Sequence, residues 1–278
     1  MLLKKLKLSH SMVYVLLCLL LVTQLYPLIW LLLYSFKTNE EILSGHFFSI
    51  PSEWKWENYT SAIESGNYFQ YLFNSVTVTF STLIVVIVLS SLAAFAIARF
   101  QWKYNKAFLL LFLIGMMIPL QATLLPLMVI FKNLGLLNTR FSMILPYIAF
   151  QIPISMFILS AFMKTIPQEI DESAIIDGAS VYQIYWNIII PISIPPVVTV
   201  CILSFINVWN EYILASTFVS SEHLKTLPFG VYSFVSQYSA NYGSIGAYLV
   251  LGALPVILIY FMMAEKITKG MVAGAVKG

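Results

Sequence analysis

Charge is scarce in this sequence: 10% of the residues are Asp, Glu, Lys or Arg, while 60% are hydrophobic and the mean hydropathy is +0.87. A water-soluble globule carries about a quarter charged residues, so that class is excluded and the chain reads as an integral membrane protein. Residues that carry chemistry are sparse too. The three histidines, His10, His46 and His223, fall in different segments and offer no metal-ligand spacing. The two cysteines, Cys18 and Cys201, lie in separate apolar runs and read as small apolar side chains, neither a disulfide nor a nucleophile. No Gly-x-Ser-x-Gly occurs, and no Gly, four residues, Gly-Lys-Ser/Thr that would cradle the phosphates of ATP. The chain is therefore read as a non-enzyme, and its basic residues form no patch for nucleic acid.

What is present is a series of long apolar runs. A bilayer core about 30 Å thick needs roughly 20 apolar residues per helix, and 278 residues leave room for about six such spans. They are expected at about 11–36, 76–98, 107–131, 141–163, 197–218 and 244–264. Pro119, Gln121 and Pro126 interrupt the third, Pro146, Gln151 and Pro153 lie in the fourth, Asn207, Asn210 and Glu211 in the fifth, and Pro255 in the sixth. Prolines inside spans are tolerated where neighbouring helices satisfy the freed carbonyls, which points to a packed bundle. Ser90, Ser91, Ala93, Ala94, Ala96 and Ala98 make one end of the second span small enough for close helix contact. The first apolar run is about twice the length of a secretory signal core and no small-residue cleavage site follows it, so it is read as an uncleaved span.

Orientation follows from the bias of Lys and Arg toward the cytoplasm. With both termini inside, ten basic residues (Lys4, Lys5, Lys7, Arg99, Lys103, Lys106, Lys164, Lys266, Lys269, Lys277) face the cytoplasm. Five (Lys37, Lys55, Lys132, Arg140, Lys225) face outward. The longest outer loop, 37–74, carries Trp54, Trp56, Glu53 and Glu57; it is either an interfacial float anchored by tryptophan or a surface for another protein.

This orientation puts 164–196 in the cytoplasm, and there Glu169, Asp171, Glu172 and Asp177 give an acidic run on a face that is usually basic. Two short helices are expected. Thr165 serves as N-cap of the first, with Pro167 in its first turn and Gln168 at the third helical position, and acids near the positive end of the dipole. Ile166, Ile170 and Ala174 share one face, Gly178 supplies a turn with positive φ, and Ser180 with Gln183 forms a capping box for a second helix that Pro191 interrupts. Helices this short are marginal alone. They pack either on the protein's own inner end and the headgroup layer, or on a cytoplasmic partner; the physical chemistry leaves both open.

Glu172-Ser173-Ala174, then Asp177-Gly178-Ala179, then Pro191 thirteen residues after the glycine, resemble the "EAA" loop of permease subunits of ATP-binding-cassette importers. "NTRFSMILPYIAF" (138–150), "WNEY" (209–212), "TLPFG" (226–230) and "KGMVAGAVKG" (269–278) are similar, in the same order, to the carbohydrate-uptake branch, in particular to the second permease subunit of the maltose importer. Ser173 departs from the usual alanine, a small change.

The resemblance implies an all-α, six-helix permease domain of type I importer architecture over 1–278, in a bacterial or archaeal cell membrane. It implies a homologous second permease as heterodimer partner, two ATPase subunits that hold ATP and Mg2+, and an extracellular sugar-binding protein, with lipid around the bundle and a sugar or oligosaccharide as solute. The loop 164–196 would be the coupling element: Glu172 accepting hydrogen bonds from the ATPase, Ser173 and Asp177 alongside it, Gly178 making the turn, Ala174 and Ala179 allowing close approach. The tail residues Gly274, Lys277 and Gly278 would reach the ATPase, although Gly270, Gly274 and Gly278 by themselves favour a flexible tail.

Trp209, Asn210 and Glu211 carry two open readings. Aromatic and amide groups suit a hydroxyl-rich solute, and polar groups between spans also serve as structural braces. Gln121 and Gln151 are ambiguous in the same way. Glu211, an acid inside an expected span and costly to bury, is also the site that an alternative function, an autonomous ion-coupled carrier, would use.

Overall fold

A computed structural model describes residues 10–45, 48–236 and 239–275. Among these residues the chain is almost entirely helical, with no strand and one isolated bridge between Val235 and Ala240. The helices are α1 (His10–Tyr34), α2 (Asn39–Leu43), α3 (Glu57–Glu64), α4 (Tyr68–Arg99), α5 (Asn105–Gly115), α6 (Leu120–Asn133), α7 (Phe141–Met163) and α8 (Glu169–Ile176). They continue with α9 (Val181–Ile192), α10 (Ile194–Trp209), α11 (Ile213–Phe218) and α12 (Tyr242–Ala275). By length and composition α1, α4, α7 and α12 can each cross a membrane, and the pairs α5–α6 and α9–α10 bring the number to six if each is one bent span.

Both bends have a proline behind them. The third apolar run is not one rod: α5 stops at Gly115, Pro119 takes an extended backbone with ψ of 135°, and α6 leaves at 94°. Proline lacks the amide that would continue the ladder and disfavours helical geometry in the residue before it, whereas Pro126 is carried inside α6. The second bend, 75°, falls at Ser193, just before Pro195 and Pro196 open α10. Upstream, Pro191 does not end the ladder. Residues Ile184–Ile189 widen into a π-turn, with the Ile190 amide donating to the carbonyl of Tyr185 five residues back, which accommodates the missing amide of Pro191.

The fifth apolar run is divided as well, because α10 ends at Trp209 and α11 starts at Ile213. The last helix behaves oppositely. It passes through Pro255, Gly270 and Gly274 without a break as far as Ala275, so the glycines do not loosen it there. Lys277 and Gly278 lie outside the described residues.

The chain divides into two compact units, one formed by Met1–Tyr68 with Gly230–Ala253 and the other by Phe69–Phe229 with Leu254–Gly278. In the first, the segment after α1 is an ordered knot rather than a floating loop. The Asn58 amide donates to the carbonyls of Ser35 and Lys37 at 2.9 and 3.0 Å, and Phe36 is ringed by Trp54, Trp56 and Tyr59 with centroids 4.7 to 5.0 Å away. Thr38 and Glu41 form a capping box on α2. Glu41 also accepts from the amide and hydroxyl of Ser52, which holds its carboxyl below the usual carboxylate range. The glycine of "TLPFG" is a packing requirement: a Cβ on Gly230 would lie 1.9 Å from the Tyr248 ring.

The second unit has its core where α4, α7 and the 164–196 segment meet. Ala94, Phe95 and Ile97 of α4, Met156, Leu159 and Met163 of α7, and Ile166, Ala174, Ile184, Tyr185 and Ile189 of the segment form one buried cluster. The small end of α4 makes room for it, with Ser90, Ser91 and Ala94 buried and the Ser91 hydroxyl 2.7 Å from that of Tyr185.

Candidate functional site

The acidic segment is built as an elbow of α8 and α9. Its first helix starts later than the sequence indicated. Thr165 is not an N-cap: its hydroxyl donates to the carbonyl of Phe162 at 2.8 Å and closes the last turn of α7, and α8 begins at Glu169. Glu169, Asp171 and Glu172 then occupy the first turn of α8, where the helix dipole favours negative charge. At the far end the amide of Gly178 donates to Ile175 and that of Ala179 to Ala174, and Gly178 sits at φ +83°. Glycine takes this left-handed geometry without a Cβ penalty. The capping box of Ser180 and Gln183 then opens α9, with bonds of 3.4 and 2.7 Å.

The two faces of the elbow differ. Ile166, Ile170 and Ala174, four residues apart, turn into the core. Ala174 is therefore not available for the approach of another molecule, contrary to the expectation for it; its place on the 166–170–174 stripe buries it. Ala179 is half-buried, while Glu172, Ser173, Asp177 and Gly178 are exposed. The Ser173 hydroxyl is spent on the carbonyl of Ile170 at 2.9 Å. Exposed with them are apolar side chains that the sequence reading passed over: Ile175, Ile176, Val181, Tyr182 and Trp186, with Ile176 at 85% and Tyr182 at 77% exposure. Their signal was present in the sequence, since they are the apolar residues that fall off the buried stripe. Carboxylates ringed by large apolar side chains make a surface suited to another protein rather than to water alone.

Asp171 turns the other way. Its carboxylate is gripped by Arg99, the last residue of α4, with Nε to Oδ2 at 2.6 Å and Nη2 to Oδ1 at 2.9 Å.

The second cluster surrounds the break between α10 and α11. Glu211 lies in that break and accepts the amides of Leu214 at 2.8 Å and Ala215 at 3.4 Å, the first donors of α11. The Tyr147 hydroxyl of α7 donates to the same carboxylate at 2.5 Å. A carboxylate placed on free amides at a helix start is a favourable cap, and Tyr147 extends it into a brace between α7 and α11. Trp209 is buried and stacked on Phe205 at 5.1 Å, so its ring packs within the bundle. Asn210 is exposed, with its amide returned to its own helix at the carbonyl of Ile206. One turn earlier Asn207 is exposed too, and its amide approaches Oε1 of Gln151 on α7 at 3.5 Å. Of the polar side chains on these helices, Asn207 and Asn210 are exposed, Gln151 is half-buried, and Gln121 is exposed on α6 outside these bonds.

Other quoted motifs meet at and beyond the far end of α11. Asn138, at φ +56°, accepts the amides of Ser220 and Ser221 on its side-chain oxygen and donates its own amide to the carbonyl of Phe218, closing α11. The Asn74 amide donates to the carbonyls of His223 and Lys225, its oxygen accepts from Arg140 at 3.0 Å, and Ser75 accepts the amide of Leu227. Among the described residues no group of three His, Cys, Asp or Glu side chains is placed to hold a metal, and Cys18 and Cys201 are unpaired.

Residues 86–269 match the family model described as the binding-protein-dependent transport system inner membrane component. The chain is 34% identical over 250 residues to the diacetylchitobiose uptake system permease protein of Streptomyces coelicolor, covering 89% of this chain and 82% of that one. It is 32% identical over 269 residues to the galactooligosaccharides transport system permease protein of Bacillus subtilis, with coverage of 95% and 94%. In fold it is similar to a chain of a bacterial ABC transporter involved in the import of the acidic polysaccharide alginate, with a TM-score of 0.78 at 22% identity over 93% of this chain and 98% of that one.

Proposed function

This chain belongs to the family of binding-protein-dependent transport system inner membrane components, and from that premise we propose that it is half of the membrane pathway for a sugar or oligosaccharide. A homologous permease supplies the other half, and a sugar-binding protein delivers the solute. Two separate ATPase subunits hold ATP and Mg2+. The α8–α9 elbow faces the cytoplasm, with both chain termini on the same side, and is the part those ATPases grip.

The observation that carries this reading is the two-faced elbow. One face is fixed in the chain's own core, and the other offers Glu172, Asp177, Ile175, Ile176 and Tyr182 outward around the Gly178 turn. A helix pair that only closed off the bundle would have no use for so much uncovered apolar surface. Glu172 and Asp177 accept hydrogen bonds from the ATPase, and the apolar side chains fill its groove. The exposed amides of Asn207 and Asn210 and the half-buried one of Gln151 meet sugar hydroxyls along the route, each amide both donating and accepting. The sugar class is supported by the relatives named for diacetylchitobiose and galactooligosaccharide transport.

An ion-coupled carrier would need Glu211 as its cation site, and that carboxylate already accepts two backbone amides and a tyrosine hydroxyl. Reconstitution separates the two mechanisms. Uptake into proteoliposomes is expected only with ATP, the second permease, the ATPases and the binding protein together; gradient-driven sugar flux through the purified chain alone would overturn the proposal.

A further inference from the structure

The elbow can act on the bundle only through the contacts that tie it to the long helices, and one side chain supplies an unusual number of them. Arg99 closes the 32-residue helix α4. Its guanidinium makes the fork to Asp171 at the start of α8, donates Nη1 to the carbonyls of Met163 and Ile166 at 3.2 and 2.7 Å, and donates Nη2 to the carbonyl of Pro167 at 3.1 Å. The Met163 carbonyl, at the end of α7, also takes the Ile166 amide at 3.3 Å, and the next two carbonyls belong to the turn that leads into α8. With its side chain 3% exposed, Arg99 is bonded in one geometry to three elements at once: α4, the end of α7 and the elbow. Only a planar fork does this; a lysine ammonium is a point charge that cannot hold a carboxylate and three carbonyls together.

Beside the ion pair the packing is incomplete. A cleft of about 230 Å3, lined by Phe95, Phe100, Gln168, Glu172, Ile175 and Val181 along with the pair itself, separates α4 from α8 on that side. At that cleft the ion pair bridges the two helices, while Ala94, Phe95 and Ile97 of α4 pack against Ile170 and Ala174 of the elbow in the buried core. On the other side of the elbow the chain leaves through a π-turn and the 75° bend at Ser193. π-turns inside helices occur frequently at functional sites.

We propose that Arg99 is the positioning residue through which movement of the elbow is delivered to α4 and α7, with Asp171 as its partner on the elbow. This rests on the reading of the elbow as the ATPase-gripped element, and names the two helices that move with it. Asp171 is thereby assigned inward, to transmission, while Glu172 next to it stays outward for docking.

The test uses the full complex with ATPases, second permease and binding protein in proteoliposomes, measuring sugar imported per ATP hydrolysed and the stimulation of hydrolysis by loaded binding protein. Asp171→Asn keeps shape and removes the charge; Arg99→Lys keeps charge and removes the fork. Both are expected to co-purify with the ATPases and hydrolyse ATP, with sugar imported per ATP lowered about tenfold, the scale of one charge-assisted bond. Asp171→Glu, which restores the charge, is expected to recover part of the ratio. A purely stabilising pair would lower complex yield and leave the ratio in the surviving complex at the wild-type value, and that result overturns the proposal. If instead the wild-type complex imports sugar without its ATPases, the reading of the elbow itself fails, whatever the variants do.

Discussion

Gly178→Asp tests the elbow most directly, because the structure separates its effect on this chain from its effect on a partner. Gly178 sits at φ +83°, and a Cβ built on it meets no atom within 4 Å. The cost to the chain is therefore backbone strain alone, about 1–2 kcal/mol for an L-residue in left-handed geometry and less for Asp or Asn, which tolerate it. Against this the turn keeps its amide bonds at 2.9 and 3.0 Å and the Ser180 capping box. The variant should insert and accumulate as the wild type does. The new carboxylate, however, points into the space that a gripping subunit would occupy, where an uncompensated charge at a desolvated contact costs several kcal/mol. Since about 1.4 kcal/mol is tenfold in an equilibrium constant, ATPase co-purification and uptake should fall by two orders of magnitude or more. Gly178→Asn carries the same strain without the charge and should fall far less. The assay is affinity co-purification from membranes with uptake measured on the same preparation. Wild-type association and uptake in Gly178→Asp would refute the reasoning, as would loss of the inserted chain itself.

Tyr147→Phe or Glu211→Gln removes or weakens a charge-assisted bond and should lower the thermal stability of the complex by about 1.5–3 kcal/mol, seen as earlier melting in detergent with solute preference unchanged. Asn207→Ala should do the reverse, leaving melting within about 0.5 kcal/mol of wild type, as for an exposed substitution, while weakening sugar-dependent uptake. Glu222, bonded to Lys225 and to the Tyr71 hydroxyl, has its carboxyl held below its ordinary value of 4.5. A depressed folded value means that its contribution is complete at neutral pH and is lost as pH falls through that lower value. Protection of the Leu224–Leu227 amides in hydrogen exchange should therefore hold steady from pH 7 to about 5 and drop only in more acid solution, and Glu222→Gln should abolish that dependence.

The parts of this architecture that sequence reveals are those decided within a few residues. The apolar run of α7, the positive φ of Gly178, the Ser180–Gln183 capping box and the 166–170–174 stripe each follow from local chemistry. Thr165 shows where local reasoning stops. A threonine before a proline satisfies the pattern of an N-cap, yet the residue falls in the closing turn of α7, where its amide and its hydroxyl both bond the Phe162 carbonyl. What the sequence does not reveal depends on distant partners. Tyr147 and Glu211 are 64 residues apart, and Arg99 and Asp171 are 72 apart. An acid in an apolar run announces that it needs a partner and does not say which. Asn207 and Gln151 illustrate the same limit, for two polar residues on separate helices become a pair only when the helices are set side by side.

The 75° bend at Ser193 has a mechanical consequence. Were α9 and α10 collinear, a push on the elbow would drive α10 lengthwise, like a piston, against the whole depth of the bilayer. Set nearly at right angles, they have the geometry of a crank: a thrust along α9 would reach α10 almost entirely as a sideways swing. Under the proposed coupling, the far end of that helix, where Asn207 and Asn210 stand, would sweep through an arc with little travel along the helix axis.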